Sequence, residues 1–202
     1  MEYAKTNDIV ASGLIARPGS EEAARAIGKF TFECYDKDGN LKWSDEVKNL
    51  VVNVGLQYMA GAALTGTSVL AGFYIGLYGA GASNTPAATD TMSSHAGWTE
   101  NVTYSSSTRP QATFAAATLP TGTGNPSIVT NSANKATFSI NGTTTVGGAF
   151  LVGGTSGGGA GNADQKNGTG GTLFSASDFT GGDRAVVNGD SLQVTYTFSL
   201  SA

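Results

Sequence analysis

The sequence predicts a mainly β protein: an antiparallel β-sandwich with one short internal helix and an N-terminal arm. Three observations carry that expectation. Apolar residues recur at period two in several short runs, as half-buried strands require. Turn signals rich in Gly, Asn and Asp separate those runs. Only one internal stretch has the spacing of a helix. Eight or more short strands suit a sandwich, with a jelly roll among the topologies open to it. The absence of a fixed-period repeat excludes a solenoid or a propeller.

Residues 1–27 read as the arm and residues 28–202 as the sandwich domain. The arm lacks a strong hydrophobic period. Within it, Ser20 is placed to cap a short helical stretch, with Glu21 and Glu22 in its first turn and Arg25 near its end. From Gly28 the pattern changes to period two: Phe30, Phe32 and Cys34 share one face, Thr31 and Glu33 the other. Asp36-Lys37-Asp38-Gly39-Asn40 reads as a hairpin turn, with Gly39 or Asn40 at positive φ. Leu41-Lys42-Trp43-Ser44 is the returning strand. Asn53 is placed to cap a helix from Val54 to about Leu64, burying Leu56, Met59, Ala60 and Ala63, and Gly66 ends it.

Beyond the helix the chain reads as strands and glycine-bearing loops. Phe73-Tyr74-Ile75-Gly76-Leu77-Tyr78 is apolar on both faces, which predicts a central strand. Thr113-Phe114-Ala115, Ala136-Thr137-Phe138-Ser139-Ile140, Gly148-Ala149-Phe150-Leu151-Val152-Gly153 and Thr172-Leu173-Phe174-Ser175 read as further strands. Nine of the nineteen residues in 153–171 are glycine, which predicts a mobile surface loop. Asn188-Gly189-Asp190 is a turn signal. In the last strand Leu192, Val194, Tyr196, Phe198 and Leu200 alternate strictly with Gln193, Thr195, Thr197, Ser199 and Ser201. That is the pattern of a half-buried antiparallel strand.

Charge separates the two regions. Charged residues make up 13% of the chain, about half the usual share of roughly 25%. Residues 1–50 hold 16 of the 26 charges, and the other 152 residues hold 10. A surface of Ser, Thr, Gly and Asn suits packing against other protein, because little charge must be desolvated. With a net charge of −4 and no basic stripe, nucleic acid is not the expected partner. No leader-like apolar segment and no run of 18 apolar residues occurs, so the expectation is synthesis in a cytoplasm without membrane insertion.

Residues that could carry chemistry are few. Cys34 is the only cysteine and sits in a strand, where a small buried hydrophobe is expected. His95 is the only histidine, without a strand–Gly-x-Ser-x-Gly–helix context, and is expected to hold backbone groups beside Trp98. One His and one Cys fall short of a zinc ligand set. Residues 157–164 faintly resemble a calcium-binding nonapeptide turn, in a single imperfect copy. Gly168-Thr169-Gly170-Gly171 precedes a strand and cannot present a helix N-terminus to phosphate. The acidic residues after position 50 are Asp90, Glu100, Asp164, Asp178, Asp183 and Asp190, in loops where turn formation accounts for the aspartates. The sequence therefore assigns no catalytic, cofactor-binding or metal-ligating residue, and the expectation is a non-enzymatic protein.

Several segments, taken in order, resemble a family of small structural proteins of tailed-bacteriophage virions. They are Gly28 to Tyr35, Asp38 to Trp43, Asn49 to Gly55 and Tyr74 to Leu77; then Asp90 to Trp98, Arg109-Pro110, Gly147 to Leu151 and Gly170 to Phe174; and last Phe179 to Asp183 and Asn188 to Val194. The order is more specific than any one piece, and the arm lies outside it. Members of that family range from head decoration or cement proteins to tail-fibre proteins. The resemblance implies a virion component, and the favoured expectation is a capsid decoration protein on the virion exterior, a dimer or trimer that bridges major capsid protein subunits, with the arm reaching a neighbour. A tail or tail-fibre component touching the host through residues 153–171 is the alternative. A small carbohydrate-binding module using Trp98, Tyr104 and Tyr78 is a second. None of these readings calls for nucleic acid, membrane or a cofactor.

Overall fold

The two terminal strands set the frame of the molecule. The structure is a computed structural model and describes residues 25–79, 85–122 and 125–201. In chain order the first half holds β1 (Arg25–Tyr35), β2 (Leu41–Lys48), β3 (Leu50–Val51), α1 (Asn53–Ala60), β4 (Gly72–Gly79) and β5 (Glu100–Asn101). The second half holds β6 (Ser127–Thr130), β7 (Ala136–Ser139), β8 (Thr144–Gly154), β9 (Thr172–Asp178), β10 (Arg184–Val186) and β11 (Ser191–Ser201).

These strands form two antiparallel sheets. The first has the order β2-β1-β11-β6, with β7 also pairing β11. The second has the order β3-β9-β8-β4-β5, with β10 on β8. The chain is therefore mainly β, a sandwich of two antiparallel sheets with one short helix. β1 and β11 pair without interruption from Arg25–Ser201 to Tyr35–Ser191. Their alternation places Phe30, Phe32, Cys34, Leu192, Val194 and Tyr196 in the core, as the sequence pattern predicts. The pattern weakens at the end of β11, where Phe198 is half-buried and Leu200 is exposed. β1 starts at Arg25, so the boundary drawn at residue 27 falls inside a strand. The helical stretch expected from Ser20 lies outside the described residues except for Arg25 and Ala26, which are strand.

The second sheet is buried on both faces, which explains the unbroken apolar run in β4. Ile75, Leu77, Ala149, Leu151 and Phe174 face the first sheet. Tyr74, Tyr78, Phe150, Val152 and Leu173 face the other way, under Met92, Trp98 and Ala163 from two long connections. Those connections form a third layer over the sandwich. Thr113-Phe114-Ala115 is not a strand. It belongs to a connector that ties the sheets edge to edge: the Ala112 amide donates to Phe73 O (2.8 Å) and the Ala115 amide to Thr130 O (3.0 Å). The sequence shows alternation there without the partners that would make a ladder.

Helix α1 also departs from expectation. Its N-cap is Val52, and the Asn53 amide donates instead to Ala88 O at 2.8 Å. The buried side is Gly55 with half-buried Val54, Tyr58 and Met59, while Leu56, Ala60 and Ala63 are exposed. The helix lies so close to β9 that a side chain at Gly55 would put its Cβ 2.3 Å from Phe174 O. Its last turn loosens into a π-helical stretch, Gly61–Thr65, closed by Gly66 at φ 69°.

Two predictions follow from this packing. Gly55→Ala would stabilise an open helix by about 1 kcal/mol, but overpacking against a backbone carbonyl costs about 1–3 kcal/mol. The urea midpoint should therefore fall; a rise would mean the helix is not seated on β9. Alkali should also unfold the protein. Burial raises the Tyr196 phenol from 10.0 to about 12, against hydrogen bonds from Ser175 and Asn49 that lower it. Burial, with Asp190 beside it, pushes the Cys34 thiol from 9.0 up to about 11. Both folded values exceed the unfolded ones, so their stabilisation is complete at neutral pH and is lost as pH rises through them, at about 1.4 kcal/mol per pH unit per group. The melting temperature should fall most steeply between pH 10.0 and about 12, together with the appearance of tyrosinate absorbance. A flat profile over that range would show that the phenol is not sealed in the core.

Candidate functional site

The residues singled out for chemistry converge on the layer that covers the second sheet. At its centre is Arg109, which is fully buried. Its Nε donates to Glu100 Oε1 at 2.9 Å and its Nη2 to Glu100 Oε2 at 2.8 Å, a bidentate fork. Nη1 donates to Ala163 O at 2.6 Å, and Nη2 also donates to Gly168 O at 2.9 Å. The guanidinium carbon lies 5.1 Å from the Phe150 ring centroid. Glu100 is buried too and accepts the Asn167 amide at 2.6 Å. One cation therefore holds β5 to the 155–171 connection through its own side-chain bonds.

That connection is not the free loop its glycine content predicts. The Asp164 carboxylate is buried and accepts the amides of Gly157 (2.8 Å) and Gly158 (3.0 Å). Gly158 reaches it with φ 64°, a conformation that favours glycine. Asp164 is thus spent on loop closure, which is what its resemblance to a calcium turn becomes in three dimensions. Among the described residues no group of three or more His, Cys, Asp or Glu is placed to hold a metal ion.

His95 takes the place expected for it. Its ring stacks on Trp98 with centroids 3.7 Å apart, and Nδ1 lies 3.0 Å from Trp98 O. Trp98 Nε1 donates to Asp90 Oδ2 at 3.1 Å, and the same oxygen accepts the Ala87 amide at 3.0 Å. Asp90, His95 and Trp98 thereby close one loop over Tyr78 and Phe150. The aromatics considered for a carbohydrate platform are core residues: Tyr78 is 0%, Tyr104 1% and Trp98 3% exposed. A cavity of about 210 Å³ opens between His95, Trp98, Glu100, Arg109, Asn167 and Thr169.

The remaining candidates are scattered. Asp190 is buried and accepts from Lys42 Nζ at 2.5 Å and from the Val187 amide at 2.8 Å; the Cys34 thiol lies 3.8 Å from it. Burial raises the Asp178 carboxyl, and nearby Asp183 adds to the shift. The sequence reading missed the Glu100–Arg109 pair. A signal was present: Glu100 is the only glutamate after position 50, and Arg109 one of four basic residues there. In so uncharged a stretch, such residues are candidates for a buried partnership.

The outer face of the first sheet has a different chemistry. Thr31 pairs with Thr195 across β1 and β11, and Thr197 with Thr130 across β11 and β6. The last two hydroxyls are 3.1 Å apart. Gln193 lies between Glu33 and Thr137. Two ion pairs lie on this face, Lys29 with Glu46 at 2.7 Å and Lys135 with Glu33, and Lys48 stands opposite Lys29. The edge strand β2 carries Lys42, Asp45, Glu46 and Lys48, which discourages edge-to-edge pairing. No helix of the described residues is long and apolar enough to cross a membrane.

No family model matches the chain, and neither the curated proteins nor the solved structures contain a significant match.

Removing one partner of the buried pair tests the role of this cluster. Glu100→Gln leaves a buried guanidinium without its counter-charge, a change that costs about 3–5 kcal/mol. Proteolysis of the variant should begin in the 155–171 connection, which its lost bonds release. Wild-type stability and cleavage pattern would show that Arg109 does not hold that layer.

Proposed function

We propose that the chain is a non-enzymatic structural component of a tailed-phage virion, and within it a capsid decoration protein. It sits on the capsid exterior as a dimer or trimer and bridges major capsid protein subunits. One observation carries the reading. The segments that resemble phage virion proteins supply Asp90, Trp98, Arg109 and Asp190, all buried and all hydrogen-bonded within the fold. Such burial supports reading the shared segments as scaffold.

The surface chemistry supports the same reading. A threonine-rich sheet face on which Glu33 and Glu46 are already paired with lysines can dock on protein with few charges to desolvate. Weak identical contacts repeated over a lattice add up through multivalency. The tail-fibre alternative relies on residues 153–171 as a free contact loop, and Asp164 and Arg109 tie that loop down.

Copy number tests the proposal. Quantitative mass spectrometry of purified particles should give a ratio to the major capsid protein near one, or a simple fraction such as about a third, because only a shell offers so many equivalent sites. A few copies per particle would move the protein to the tail.

A further inference from the structure

Among the described residues the sandwich is open at one end. There Phe73, Phe114, Phe174 and Phe198, with Met59 and Val129, line a cleft of about 180 Å³ whose wall is apolar throughout. Phe198, Phe73, Phe114, Met59 and Val129 are each only partly buried. A cavity of about 150 Å³ takes a benzene ring, so this one has room for one or two branched aliphatic side chains.

The position of the cleft names its occupant. Phe198 on β11 lies opposite Gly28 on β1 and Val129 on β6. Arg25, opposite Ser201, is three positions from Gly28, about 10 Å along the strand. The chain preceding Arg25 is therefore joined to the domain beside the cleft. They contain one uncharged apolar segment, Ile9-Val10-Ala11-Ser12-Gly13-Leu14-Ile15-Ala16. Eight residues separate Ala16 from Arg25, a reach of up to about 30 Å when extended. A tether of that length holds the segment at an effective concentration in the millimolar range. A neighbouring copy has no such advantage in dilute solution.

We propose that the Ile9–Ile15 segment of the arm docks its own chain's cleft and completes the open end of the core. This inference does not depend on the virion reading, since it concerns the free protein.

Disulfide trapping in the full chain tests it. Cys34 is buried with a raised thiol pKa, so it does not compete with introduced cysteines. Val129→Cys at the rim is combined in turn with Leu14→Cys, Ile15→Cys or Ser20→Cys. Under mild oxidation, Leu14→Cys or Ile15→Cys should close an intramolecular disulfide at least ten times faster than Ser20→Cys. A tether without a docking site would give the reverse order, because Ser20 is nearer to Arg25 in sequence, and that order would overturn the proposal. Cross-linked dimers in place of closed monomers would also overturn it and assign the cleft to a second copy. As a check independent of Val129, Leu14→Asp with Ile15→Asp should keep the β circular dichroism signal and bind a hydrophobic dye several-fold more strongly than wild type. Unchanged dye binding would count against docking.

Discussion

A buried guanidinium is the constraint on which the outer layer of this protein depends. Arg109 lies over the Phe150 ring, and a charge there is tolerated only if it is paired and hydrogen-bonded. Glu100 accepts two of its bonds and the backbone carbonyls of Ala163 and Gly168 accept two more, so that each of its three nitrogens has a partner. The bonds that satisfy Arg109 are the same ones that pull two long connections onto the second sheet. Those connections then bury Tyr78, Phe150 and Val152 on a face that would otherwise meet solvent. A chain poor in charge can order glycine-rich loops in this way, because a few buried ionic groups each hold several backbone segments.

The same economy recurs in the smaller polar centres. Asp90 receives Trp98 and Ala87, Asp164 receives Gly157 and Gly158, and Asp190 receives Lys42 and Val187. Each carboxylate closes the loop that contains it. A protein built to pack against others benefits from this arrangement, since charges engaged internally do not have to be desolvated at an interface.

Much of the frame was legible in the sequence. Strict alternation in β1 and β11 placed Phe30, Phe32, Leu192 and Val194 correctly, because a half-buried strand writes its burial at period two. The two-faced apolar run at Tyr74 to Tyr78 signalled a sheet covered on both sides, although the cover itself was hidden. That cover is irregular chain held by long-range side-chain bonds, and such bonds leave no period. Glycine content misled for the same reason: Gly157 and Gly158 look flexible until Asp164, several residues away, takes their amides. The helix stripe failed at Leu56 because the contact with β9 is a backbone approach at Gly55, which rewards a missing side chain and not an apolar one. Strand order was not written at any level of the pattern.

The long β1–β11 ladder gives the molecule two poles. Arg25 and Ser201 end side by side at one of them, while the Asp36–Asn40 turn lies at the other end of β1, about 35 Å away for 11 residues of strand. A peptide inserted after Ser201 would emerge beside the open apolar end and crowd it. A peptide grafted into the Asp36–Asn40 turn, whose Gly39 has open space around it, would stand clear of that end. As a carrier for displayed sequences, the fold has one suitable pole, and the ladder decides which.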